Sequence, residues 1–164
     1  MSKIRIAGVV PESITDGPGV RFTIFTQGCP RRCPGCHNPQ THDPNGGYEI
    51  DADEILARIK NNPLLDGVTF SGGEPFLQAS PLADLAQRLR ELDLTVVTYT
   101  GYRYEELLAA NRPDWLALLN ETDILIDGPF MQEQTPATLL FRGSSNQRVI
   151  VLREVREKQP YSFI

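Results

Sequence analysis

Short apolar runs alternate along this chain with stretches in which apolar positions recur every three or four residues. The runs read as strands and the recurrences as amphipathic helices. Strands are predicted at Ile4 to Val9, Val20 to Thr26, Gly67 to Phe70, Thr95 to Thr100, Asp123 to Ile126 and Arg148 to Leu152. Between them, Asp51 caps a helix, with Glu54 three residues on as a capping-box variant and Ile55, Leu56 and Ile59 as the apolar face. Ser80-Pro81 reads as an N-cap followed by a proline in the first helical position, and Leu82, Leu85, Ala86 and Leu89 form one face. Tyr104 to Ala110 and Asp114 to Leu119 give two shorter helices. No internal repeat interrupts the pattern.

Alternating strands and helices argue for an α/β fold with a mainly parallel sheet and right-handed crossovers. A run such as Thr95-Val96-Val97 suits a strand buried on both faces. About four or five β/α units fit into 164 residues, whereas a closed eightfold barrel takes about 250. The expected architecture is therefore an open partial (β/α) barrel, one domain over residues 1–164. In such sheets the chemistry gathers at the carboxyl ends of the strands.

Composition narrows the class without naming it. Apolar residues make up 40% and charged residues 23%, as in ordinary soluble domains. A net charge of -5 offers no broad basic footprint, so nucleic acid is not an expected partner. The apolar start, Met1 to Val10, is too short for a signal-peptide core and runs into Pro11-Glu12, and no later stretch reaches membrane-spanning length. A cytoplasmic protein with no membrane partner is expected, in a compartment that keeps thiols reduced.

The chemistry is concentrated in one loop. The chain's three cysteines fall in Cys29-Pro30-Arg31-Arg32-Cys33-Pro34-Gly35-Cys36, directly after the Val20-to-Thr26 strand. This C-x3-C-x2-C spacing suits a cubane iron-sulfur cluster with three thiolate ligands and one iron left open to an exogenous group. Zinc remains an alternative, with His37 or His42 completing a Cys3His tetrahedron in a binding module that catalyses nothing. A disulfide plus a spare thiol fits no secreted framework. Gly28 and Gly35 let the backbone wrap closely, and Pro30 and Pro34 stiffen it. Arg31 and Arg32 read as solvated loop charges, as cations that moderate the cluster's negative charge, or as residues facing a partner.

Other strand ends offer matching groups. The Gly67 strand runs into Ser71-Gly72-Gly73-Glu74-Pro75, where bare backbone can approach a ligand's ammonium and carboxylate. Thr98-Tyr99-Thr100-Gly101-Tyr102 ends the next strand, with hydroxyls for a ribose and rings that either line an adenine pocket or pack structurally. Asp127-Gly128-Pro129-Phe130 ends another, and Asp127 reads as an ammonium acceptor or a turn aspartate.

Cysteine loop and Gly-Gly-Glu-Pro together resemble the radical S-adenosylmethionine (SAM) superfamily. Asp16-Gly17-Pro18-Gly19-Val20-Arg21 before the cluster strand and Cys36-His37-Asn38 after it resemble, within it, the activating enzymes of glycyl-radical enzymes. Gly35, Thr98-Tyr99-Thr100-Gly101, Asp127-Gly128-Pro129-Phe130 and Arg142-Gly143-Ser144-Ser145-Asn146-Gln147-Arg148 are most similar to the branch acting on anaerobic ribonucleoside-triphosphate reductase. Activators of pyruvate formate-lyase resemble the chain less, having a longer barrel beyond the region of Asp127.

The resemblance implies a [4Fe-4S] cluster on Cys29, Cys33 and Cys36, and SAM bound by Gly35, Cys36, His37, Asn38, Ser71, Gly72, Gly73, Glu74, Thr98, Tyr99 and Asp127. It further implies reductive SAM cleavage to methionine and a 5'-deoxyadenosyl radical, which takes a hydrogen atom from a partner's glycine. No side-chain acid or base is needed. Many members carry an aromatic where this chain has Gly35, which leaves His37 or Tyr99 to supply a stacking surface. Implied partners are the anaerobic reductase and a flavodoxin-type electron donor, with the 131–146 loop facing the reductase. Another glycyl-radical enzyme or a small molecule are the alternative substrates.

Overall fold

The computed structural model describes residues 2–31, 36, 39–129, 131, 141, 142, 144 and 146–153. Seven strands are β1 (Lys3–Ser13), β2 (Arg21–Thr26), β3 (Tyr48–Asp51), β4 (Gly67–Gly72), β5 (Thr95–Tyr99), β6 (Ile124–Asp127) and β7 (Arg148–Val151). They form one sheet in the order β3-β1-β2-β4-β5-β6-β7. Its centre is parallel, β2 pairing with β4, β4 with β5 and β5 with β6. The flanks are antiparallel, β1 against both β2 and β3, and β7 against β6. Residues 14–20 are too short a link for a parallel crossover, so β2 returns beside β1 as an antiparallel partner.

The helices are α1 (Ala52–Lys60), α2 (Ala79–Glu91), α3 (Tyr104–Ala110) and α4 (Pro113–Glu121). They make three crossovers, β2 to β4 through α1, β4 to β5 through α2, and β5 to β6 through α3 and α4. That is fewer than the four or five expected, because β1, β3 and β7 join by antiparallel pairing. β3 was not expected. It is a short edge strand with only Ile50 buried, too brief for its alternation to stand out.

Two helix starts differ from expectation. Asp51 does cap α1, accepting from the Asp53 amide at 2.9 Å, while Glu54 pairs with Arg58 at 3.0 Å along the helix. Helix α2 begins at Ala79, directly after a 3-10 turn at Pro75–Gln78, so Ser80 and Pro81 lie inside its first turn. Proline is tolerated there because first-turn amides have no helical acceptor.

Alternation along the strands separates two faces. Phe22, Ile24, Val68, Phe70, Val96 and Leu125 pack with Ile55, Leu82, Leu85, Leu89 and Leu118 from the helices. Burial of each such side chain contributes about 1.5–3 kcal/mol. Val97, Ile124 and Ile126 form a smaller cluster with Tyr99, Phe141 and Val149 on the other face. This second face, which carries no helix among the described residues, holds the site.

Candidate functional site

A cleft of ≈ 560 Å³ opens at the carboxyl ends of β2, β4, β5 and β6. Cys29, Arg31, Cys36 and Ser71 to Glu74 line one side, and Tyr99 to Gly101 with Gly128 another. Ser13, Thr15 and Asp16 from the β1–β2 connection close it below, and Phe141, Arg142 and Gln147 flank it. The volume lies in the range of small-molecule and cofactor sites.

The cysteine loop is fastened at its base. Gly28 donates its amide to Thr41 at 2.6 Å and Cys29 to His42 at 3.1 Å. Gln27 Nε2 adds bonds to the carbonyls of Gln40 (2.9 Å) and Asp43 (2.7 Å). These bonds draw the two ends of the loop together, with Cys29 and Cys36 in the cleft wall and neither in a disulfide. Cys33, Gly35, His37 and Asn38 lie outside the described residues.

Gly72 and Gly73 sit where only glycine fits. Gly72 has φ of 95°, a conformation that side chains disfavour, and a Cβ on Gly73 would overlap the Gly28 carbonyl oxygen. The close approach is held by Gly73 donating to Thr26 at 2.8 Å and Glu74 to Gly28 at 2.7 Å. The Gly-Gly turn and the root of the cysteine loop are therefore one hydrogen-bonded unit.

Glu74 is buried and ties this unit to β5. Its carboxylate accepts from the Gly101 amide at 2.7 Å, the Thr100 hydroxyl at 2.8 Å and the Phe76 amide at 3.2 Å. Burial pushes the carboxyl above the usual carboxylate range, opposed by these bonds and by the Arg31 charge. The geometry makes Glu74 a positioning group for the loops around the cleft.

Two expected ligand residues face away. Thr98 alternates with Tyr99, so it points with Val96 toward the helices, where its hydroxyl pairs with Thr122 at 2.9 Å. Asp127 likewise follows Leu125 to the helix side. It accepts from the Tyr104 amide at the start of α3 at 2.7 Å and from Arg148 Nε at 3.0 Å. Neither residue is in the cleft wall. Ser71, Gly72, Gly73 and Tyr99 are brought together there as expected. Tyr99 donates its hydroxyl to the Phe141 carbonyl, and burial, reinforced by the Asp16 charge, pushes its phenol well up.

Sequence reasoning missed one cation and left another open. Arg21, which the sequence offers only as the end of the Asp16-to-Arg21 run, is fully buried below the cleft. It donates to Thr69 Oγ1, Pro18 O, Thr95 Oγ1, Val68 O and Thr95 O at 2.7–3.0 Å. Thr69 in turn donates to the Asp16 carbonyl at 2.7 Å, so Arg21 holds the connection carrying Thr15 and Asp16. The available signal was Gly67, opposite Arg21 in the ladder, where a Cβ would overlap the guanidinium. Arg31, readable as a solvated charge, instead lies over the Tyr102 ring, 4.4 Å from its centroid.

Residues 15–150 match the family described as 4Fe-4S single cluster domain. The chain belongs to that family. It is 34% identical over 152 residues to the anaerobic ribonucleoside-triphosphate reductase-activating protein of Salmonella typhi, covering 87% of this chain and 96% of that protein. It is 41% identical over 113 residues to the pyruvate formate-lyase-activating enzyme of Clostridium pasteurianum, covering 63% of this chain and 48% of that enzyme. The crystal structure of QueE from Escherichia coli aligns with 60% of this chain and 52% of its own at 19% identity and TM-score 0.48, too partial a likeness to add to the topology. As a 4Fe-4S single cluster domain the chain has a donor set that fits the group. Two thiols of the three-cysteine loop share the cleft wall with bare Gly-Gly backbone, and the Glu74 carboxylate in that wall is engaged by Thr100 and Gly101.

Proposed function

We propose that this chain is a radical SAM oxidoreductase that activates anaerobic ribonucleoside-triphosphate reductase by generating a glycyl radical on it. The observation that carries the reading is the cleft in which Cys29 and Cys36 share a wall with Gly72 and Gly73, in a chain with activating-protein relatives over most of its length. A [4Fe-4S] cluster and SAM supply the hard chemistry when bound: reductive cleavage of SAM and hydrogen-atom abstraction from the partner's glycine.

The protein's task is to bind and orient. Cys29, Cys33 and Cys36 would hold the cluster, which would supply the electron that cleaves SAM. Ser71, Gly72 and Gly73 offer main-chain groups to its methionine part, and Gly35, Cys36, His37, Asn38 and Tyr99 border its adenosine. Glu74 fixes these loops through Thr100 and Gly101. Held geometry replaces a bimolecular encounter and keeps solvent hydrogen donors away. Among the described residues the sheet ends at β3 and β7, which suits an open partial barrel, one domain with a mouth wide enough for a protein loop. The 131–146 stretch, most of it outside the described residues, is the proposed partner contact, and a flavodoxin-type protein the proposed electron donor.

The cytoplasm suits this chemistry, and no helix among the described residues is long and apolar enough to cross a membrane. A second reading, activation of pyruvate formate-lyase, draws on the Clostridium relative, and exchange of the partner enzyme separates the two. The first test is anaerobic: 5'-deoxyadenosine is quantified after reconstitution with iron and sulfide, reduction and addition of SAM. Cleavage by wild type and none by Cys29→Ala, Cys33→Ala or Cys36→Ala is expected. Cleavage with a normal cluster in any one of the three variants refutes the assignment.

A further inference from the structure

One cation in the cleft wall is held in place without a counter-ion at hydrogen-bonding distance. Arg31 lies between Cys29 and Cys33 in the sequence and lines the cleft with Cys29 and Cys36. Its guanidinium rests on Tyr102, whose ring sits 4.9 Å from that of Trp115. Trp115 is anchored by Nε1 donating to the Phe76 carbonyl at 3.0 Å. Gly101 leaves room for the side chain, since a Cβ there would stand 2.5 Å from Arg31 Cδ and 2.6 Å from its Nε. Among the described residues Arg31 makes no ion pair, and its Nε is buried without a hydrogen-bond acceptor. Glu74, the nearby carboxylate, is already engaged by Phe76, Thr100 and Gly101.

A buried donor without an acceptor, on a side chain that shares the cleft wall with two ligand thiols, is costly unless an acceptor arrives with the bound group. Thiolate and sulfide sulfur are such acceptors. We infer that Arg31 is a positioning residue for the cluster's electron chemistry: its fixed charge stabilises the reduced state and raises the reduction potential. Reduction adds a negative charge to an already anionic assembly, and a nearby cation favours that step. Net charge and hydrogen bonds to sulfur are the two levers by which a protein sets such potentials. Stacking on Tyr102 explains why the charge stays put, because an arginine over a ring needs no carboxylate to hold it. The inference rests on the cluster assignment proposed above.

The test is a potentiometric titration of the reconstituted holoprotein without SAM, read by the EPR signal of the reduced cluster. Arg31→Gln removes the charge, and Arg31→Lys keeps it. At a fixed ambient potential the reduced-to-oxidised ratio is expected to fall about tenfold or more in Arg31→Gln, equivalent to a midpoint lower by about 59 mV for one electron. Arg31→Lys should change the ratio by less than about threefold, with iron and sulfide content equal in all three proteins. A wild-type midpoint in Arg31→Gln overturns the inference even if activity falls. So do equal shifts in both variants, which mark packing, or a change in SAM affinity alone, which marks a contact to the ligand's carboxylate. Failure of the wild type itself to take up a cluster refutes the underlying assignment, and the inference falls with it.

Discussion

Arg21→Lys tests how the floor of the cleft is held. Arg21 is fully buried and gives five hydrogen bonds, all to neutral oxygens. Burial pulls its pKa down to about 10, so at pH 8 it is still charged. Lysine has a single nitrogen with three donors and no planar fork, and leaves at least two of these acceptors unpaired. Each unsatisfied buried group costs about 1–3 kcal/mol, giving about 2–6 kcal/mol in all. With a urea slope of about 2 kcal/mol/M, the midpoint should move down by about 1–3 M. Because Arg21 also reaches the Asp16 carbonyl through Thr69, cleft-floor residues should loosen before the sheet does. Hydrogen exchange would show this as a larger acceleration in residues 14–20 than in β4 and β5. A midpoint within about 0.3 M of wild type, with protection of 14–20 intact, would refute the reasoning.

Three further outcomes follow from the geometry. Gly73→Ala drives a Cβ into the Gly28 carbonyl and should break the bond from Glu74 that joins the two loops. Overpacking of about 1–3 kcal/mol is expected, with reduced iron per chain and at least tenfold slower SAM cleavage, and wild-type iron content and cleavage would count against it. Tyr99→Phe removes the bond to Phe141 and should cost about 1 kcal/mol by thermal or chemical unfolding. Because burial raises the Tyr99 phenol, its charged form appears only at strongly alkaline pH, so absorbance at 295 nm should rise equally in wild type and Tyr99→Phe up to pH about 11. A smaller rise in the variant below that pH would contradict the assigned burial effect.

The parts of the fold that the sequence made legible are those where local pattern and final environment agree. β2, β4, β5 and β6 read as strands because most of their residues are buried, and the runs survive as such in the sheet. Strand direction is different. Nothing in an apolar run distinguishes β1 and β7, which pair antiparallel, from the parallel four. At the site, the cysteine spacing and Gly72-Gly73 were readable because their chemistry depends on residue type alone. Which of Thr98 and Tyr99 enters the cleft follows from period-two alternation once Val96 is known to face the helices. Arg21 and Arg31 were obscured for the opposite reason. A charge signals solvent by default, and only a ring beneath it or a set of carbonyls around it reverses that, both supplied by residues far along the chain.

The most direct test of the central claim is the EPR spectrum of the anaerobic reductase after incubation with this reconstituted protein, a reductant and SAM. A glycyl-radical doublet that requires SAM and is lost with the Cys29→Ala, Cys33→Ala or Cys36→Ala variant is the predicted result. A fully loaded, reduced protein that cleaves no SAM and raises no doublet on the reductase would contradict the account.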